Sequence, residues 1–351
     1  MEMENNGSGD LASQPLQPEA VVVTPPTPSA PSTLRKVFMG PNGIRAGWRL
    51  LIYALLITAL SAAIFPALMH LLHIPQNQKM TTLTPGFSLL FESLSLFVAL
   101  VAAVIMRRIE REQWGHYGLP LNKAFGREFW IGVVCGFSAL SLVMLCLKLM
   151  HVFTIDGFAL QGAAILKFGA VWAIVFLCVG LYEEFLMRGY ALYTLSSGIG
   201  FWPSAVILSI VFFAGHISNK GEDWLGLLGV FLFGMLCCLI LWKTGSLWLP
   251  VGIHAAWDWG LTFFYSAPDS GLMAEGQLFH SHFSGPWWLS GGSAGPEGSV
   301  VVTVLLLISF GAIAAFAPRR KWVSQNERRL AAKPTAPPEP PPLLDSSALT
   351  R

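Results

Sequence analysis

The chain has 351 residues, 54% hydrophobic and only 12% charged, with a mean hydropathy of +0.57 and a net charge of +2 at pH 7. An ordinary soluble domain carries about 25% charged residues, so the composition excludes a soluble module and points to an all-α, polytopic membrane protein. The net charge says little about partners, the placement of the charges says more, and no nucleic-acid partner is expected.

Residues 1–45 open the chain as a Pro-, Ser- and Gly-rich tail with no apolar run behind a basic start, so they read as a disordered cytoplasmic tail and not a cleavable leader. Crossing the hydrocarbon core takes about 20 apolar residues. Eight stretches meet or approach this: 48–72, 86–106, 129–151, 168–195, 202–217, 224–242, 247–266 and 299–317. The fifth is short, and the fourth is interrupted by Glu183 and Glu184. Residues 318–351 form a second Pro-rich tail, leaving 46–317 as one transmembrane helical domain. The five cysteines (Cys135, Cys146, Cys178, Cys237, Cys238) lie inside apolar stretches without metal-ligand spacing and read as packing residues. His70, His151, His280 and His282 fall at span ends or in connections, where they are expected to be solvated, and Trp287 and Trp288 read as interfacial anchors.

Basic residues predict the orientation. Arg35, Lys36, Arg45 and Arg49 precede the first span, and Arg107, Arg108, Arg111, Lys123 and Arg127 crowd the second connection. Lys243 lies in the sixth, and more basic residues follow the last span. The alternate connections hold only Lys79, Lys220 and, at a span edge, Lys167. This bias places both termini in the cytoplasm, which requires an even number of spans.

Three polar groups interrupt the apolar pattern at helical spacing: Glu183-Glu184 with Arg188, Phe212 with His216, and His254 with Asp258. One charge at the bilayer centre costs roughly 2.5–3.5 kcal/mol even on lenient scales, so an adjacent acidic pair needs a partner or a task. Arg188 lies one turn beyond Glu184 and can neutralise it, which leaves Glu183 as the surplus carboxylate. At 1.5 Å per residue, Glu183 sits roughly 18 Å from one face and His216 and His254 roughly 20 Å and 10 Å from the other. These depths allow one shared cavity.

A carboxylate with two histidines in a water-holding cavity suits general-base activation of water. Asp258 would then fix an imidazole tautomer or help stabilise an oxyanion. The same Glu183, His216 and His254 could instead ligate a divalent metal such as zinc. No His-Glu-x-x-His and no Gly-x-Ser-x-Gly in a suitable span is present. Other classes use such residues too: a structural ion network in a non-catalytic immunity or partner-stabilising factor, or a proton-coupled transporter, although inverted repeats are lacking.

In their order, Glu183-Glu184-Phe-Leu-Met-Arg188, Phe212-Phe-Ala-Gly-His216 and His254-Ala-Ala-Trp-Asp258 resemble the CPBP family of intramembrane proteases, which includes the type 2 CAAX prenyl endopeptidases and bacteriocin-immunity-like proteins. The resemblance covers about 128–266, with Tyr117-Gly-Leu-Pro120 ahead of it. It implies a membrane helical bundle with a polar cavity open to lipid and cytoplasm, acting on a membrane-associated or lipidated peptide. It also implies that Glu183 with His216 activates water and that His254 and Asp258 hold the oxyanion. Glu184 and Arg188 are then orienting residues. The family is often called a metalloprotease family, and a metal-free glutamate mechanism fits the motif equally. Asp258 stands where some relatives carry Asn, and unless protonated its added negative charge favours a ligand or His-orienting role over oxyanion donation.

Overall fold

The computed structural model describes residues 33–40, 43–73, 82–111, 117–219, 221–269, 271–318, 321–324 and 327–328. The expectations for most of both tails, and for Lys79 and Lys220, lie outside the described residues. The described chain is mostly helical, as its composition predicts. The long helices are α1 (Ala46–Leu71), α2 (Pro85–Glu110), α3 (Arg127–Leu149), α4 (Ala163–Glu184), α5 (Leu192–Ile199), α6 (Phe201–His216), α7 (Trp224–Thr244), α8 (Trp248–Trp259) and α9 (Val300–Phe316).

Among the described residues, five helical stretches are long and apolar enough to cross a bilayer: α1, α2, α3, α7 and the run from α4 through α5. The other three predicted spans are shorter by length alone. α6 and α9 are apolar helices of 16 and 17 residues, which reach about 24–26 Å at 1.5 Å per residue, short of a 30 Å core. α8 has 12 residues and is prolonged by a π-helical turn, Gly260–Phe264.

A second π-helical turn, Phe185–Ala191, links α4 to α5 and starts directly after the acidic pair. Gly189 within it has a non-helical ψ of −109°. The side-chain ring of Phe185 stands 2.8 Å from where a Cβ of Gly189 would lie, so glycine is needed at this kink. Such turns re-aim side chains within a helix and recur at functional sites.

Lipid offers no hydrophobic drive between helices, so close packing needs small residues. Gly132 and Gly136 on α3 are four apart and face α8, where a Cβ at either would clash with the carbonyl oxygens of Leu249 and Ile253. Gly252 on α8 meets the backbone of Phe129 and Val133 in return. Gly180 brings α4 against the same helix, its Cβ position lying 3.2 Å from the Val251 carbonyl oxygen and 3.5 Å from His254 Cβ. These contacts hold the histidine of α8 beside the acidic pair of α4.

Connections gather in two sets, one at each end of the bundle. At one end, strand β1 (Phe153–Phe158) pairs antiparallel with β2 (Phe279–Phe283), and Thr82–Leu83 pairs parallel with Met273–Ala274. His282 and Asp156 join across that ribbon at 2.9 Å, both well exposed. At the other end, Arg49 pairs with Glu110 at 2.7 Å and hydrogen-bonds Ser197, and Glu110 also accepts from Tyr190. There too, the Leu247 amide donates to the Gly118 carbonyl at 2.7 Å and the Lys321 amide to Trp242 at 3.2 Å. The ribbons join segments that the chain places far apart, so helical periodicity gave no sign of them.

Candidate active site

The two adjacent glutamates have opposite surroundings. Glu184 is 0% exposed, and its Oε1 accepts from Arg188 Nη1 at 3.2 Å and from His254 Nδ1 at 3.2 Å. Glu183 keeps 25% of its side chain exposed and faces a cavity. Consecutive residues on a helix point about 100° apart, so one carboxylate enters the packed interior as the other enters the cavity.

Arg188 is 1% exposed and sits with its guanidinium carbon 4.5 Å from the centre of the Phe212 ring. Gly234 on α7 leaves space for it: a Cβ there would lie 2.7 Å from Arg188 Nη2. Cys237 and Cys238 flank this ion pair, so these two cysteines pack against the site and not merely against apolar side chains. Glu184 and Arg188 do not line the cavity. They form the wall behind it.

The cavity has a volume of about 250 Å³ and receives Glu183, His216, His254 and Asp258, from three separate helices. His254 Nε2 lies 3.6 Å from Glu183 and 3.5 Å from Asp258. His254 is thus set among three carboxylates, with Phe233 edge-on to its ring. Nδ1 is within hydrogen-bond distance of Glu184, and Nε2 faces Glu183 and Asp258 at the longer distances of an ion pair. His216 differs. Its Nδ1 stands 2.8 Å from the Phe212 carbonyl oxygen, which can only accept, so Nδ1 carries the hydrogen. In the neutral ring Nε2 is then left as an acceptor, suited to a water molecule in the cavity.

Four further carboxylates line the same space and escaped the motif search: Glu92, Glu222, Asp269 and Glu297. Glu92 is a single acid in the apolar run of α2, a signal available in the sequence. The other three lie in connections, where an acid is unremarked. Asp269 accepts from Thr262 Oγ1 at 2.9 Å, and desolvation pushes its carboxyl up to about 6. Desolvation also raises Glu222. Glu297 accepts from Trp257 Nε1 at 2.9 Å.

The donor set does not fit a catalytic zinc ion. Among the described residues no three His, Cys, Asp or Glu side chains converge as ligands. His254 Nδ1 is taken up by Glu184, and its Nε2 faces Glu183 and Asp258.

Residues 165–260 match the family model for type II CAAX prenyl endopeptidase Rce1-like proteins. That segment holds all three polar motifs, from Glu183 to Asp258. No curated protein matches the chain. The family is generally one of proteases and includes members without catalytic activity. The matched segment and the motifs within it support membership of the CPBP family of intramembrane CAAX-type proteins.

Proposed function

We propose that the protein is an intramembrane endopeptidase that hydrolyses a peptide bond of a membrane-associated substrate by water activated at Glu183. The observation that carries this reading is the division of the acidic pair. Glu184 is committed to Arg188 and His254, while Glu183 opens on a cavity shared with two histidines. The reading includes eight crossings with both termini cytoplasmic, 46–317 as one membrane domain with its protease-like core at 128–266, and the three short helices completing the bundle.

In this mechanism Glu183 takes a proton from a water molecule whose other hydrogen is directed to His216 Nε2. The water oxygen bonds to the scissile carbonyl carbon and the carbonyl oxygen becomes an oxyanion. His254, donating from Nε2, stabilises that charge, and Asp258 holds the ring in place. The C–N bond then breaks as the proton on Glu183 passes to the leaving nitrogen, giving a carboxylic acid and an amine. Every step uses side chains of this chain and one water.

One observation favours a second, non-catalytic reading: Glu184, Arg188 and His254 pair with one another in the buried wall without a substrate, with Glu184 Oε2 and Arg188 Nη2 left unbonded among the described residues. Purified Glu183→Ala protein separates the two. If it unfolds like the parent and no longer cleaves a membrane-associated test peptide, the proteolytic reading holds. Cleavage at the parent rate refutes it.

A further inference from the structure

The β1–β2 ribbon has two chemically different faces. Side chains alternate along a strand, so on β2 Phe279, Ser281 and Phe283 take one face and His280 and His282 the other. The first face is packed. Phe283 lies 5.0 Å from Phe153 and Phe279 lies 4.9 Å from Phe158, ring centre to ring centre. Ser281 Oγ donates to the Ser266 carbonyl oxygen at 2.6 Å. The second face is open, and both of its histidines are exposed.

Asp156 joins the histidine face. A register irregularity between Ile155 and Gly157 takes it out of the regular pairing. Its Oδ2 lies 2.9 Å from His282 Nε2, with the two side chains 57% and 69% exposed. An ionised carboxylate only accepts, so Nε2 holds the ring hydrogen and Nδ1 of the neutral ring keeps a lone pair. Across the ribbon His280 faces Gly157, which has a φ of +144° and nothing within 4 Å of where a Cβ would lie. No side chain crowds His280 from that position, and no other described residue pairs with its ring. An exposed ion pair adds little to stability, so folding alone does not call for two histidines on this face.

We propose that His280 and His282 chelate one late first-row divalent ion, copper(II) most tightly, with Asp156 positioning the His282 ring. Residues two apart on a strand are roughly 6.5–7 Å apart, and two imidazoles at that spacing can share an ion about 2 Å from each nitrogen. A carboxylate on the far nitrogen of a ligating histidine fixes its tautomer and raises its basicity. No third His, Cys, Asp or Glu converges with the pair among the described residues, so water completes the coordination. A structural zinc site takes four protein ligands. An open site of nitrogen and water oxygen suits copper(II) or nickel(II), and copper(II) heads the divalent series. No residue of the ribbon lines the cavity that holds Glu183. The ion is therefore no part of the hydrolytic machinery, and the inference stands apart from the proteolytic reading.

The test uses the tag-free full chain in detergent with one equivalent of copper(II) alone. Its electron paramagnetic resonance spectrum is expected to show coupling to two imidazole nitrogens. His280→Ala with His282→Ala should abolish that signal while unfolding like the parent, and His280→Asn with His282→Asn serves if the alanine pair alters unfolding. In a competition titration Asp156→Asn should weaken copper(II) binding about tenfold, the low end of the range for a carboxylate behind a ligating histidine. Either single histidine variant should weaken it further. A two-nitrogen signal that survives in the double variant means an adventitious ion only, held elsewhere, and overturns the site. Coupling to fewer than two nitrogens in the parent overturns the chelate. Unchanged affinity in Asp156→Asn overturns the positioning role.

Discussion

Replacing Arg188 by Met probes the wall behind the site. The Arg188–Glu184 pair is 3.2 Å long, with side chains 2% and 0% exposed, so neither charge has water to fall back on. Removing one partner of a buried pair costs about 3–5 kcal/mol, because the other charge stays buried and uncompensated. Losing the guanidinium from the Phe212 ring, 4.5 Å away, adds about 0.5–2 kcal/mol. Against this, His254 Nδ1 remains 3.2 Å from Glu184 and retains part of the compensation. The expected net loss is therefore about 4 kcal/mol, read from denaturant-dependent unfolding in a fixed detergent. Glu184→Gln alone should cost a similar amount by stranding Arg188. The double variant should cost less than the two single losses together, by at least about 2 kcal/mol, since neither charge is then left alone. A single-variant loss below about 1 kcal/mol, or strictly additive losses, would refute a buried, mutually dependent pair.

Glu183→Gln should leave unfolding nearly unchanged while lowering the cleavage rate by about 10²–10⁴-fold, the range for loss of a general base; a matching loss of stability would reassign Glu183 to structure. His216→Ala should lower kcat with little effect on stability, because His216 is a partly exposed residue at the end of α6; unchanged kcat counts against its place beside the water. Gly136→Val should force α3 from α8 and cost about 1–3 kcal/mol of stability by overpacking, with cleavage falling as His254 shifts; a neutral outcome in both assays would contradict the close crossing. Cleavage should survive a strong zinc chelator, since no three His, Cys, Asp or Glu side chains among the described residues converge as ligands; loss of activity that added zinc restores would overturn the metal-free mechanism.

Much of this was legible from local sequence. Long apolar runs must become helices because lipid cannot satisfy a free backbone, and the eight predicted stretches each coincide with helix. The pairing of Glu184 with Arg188 follows from a spacing of four residues on one helix, and with it the assignment of Glu183 as the surplus acid. The amphipathic signal that would orient a helix in a soluble protein is missing here, as α4, α6, α7 and α9 carry apolar residues on every side.

Only the tertiary structure decided the rest. That His254 closes on Glu184 with one nitrogen and on Glu183 and Asp258 with the other depends on glycines at 132, 136, 180 and 252, whose contacts lie on separate helices. Glu222, Asp269 and Glu297 look like ordinary acids of connecting segments until three distant stretches fold onto one cavity. Which connections close over that cavity is likewise unreadable from span depths, since a depth estimate places a residue along the membrane normal but does not say what surrounds it. Local spacing determines which charges can meet within one helix; only the packing of helices and ribbons determines which charges from separate helices and connections share one cavity.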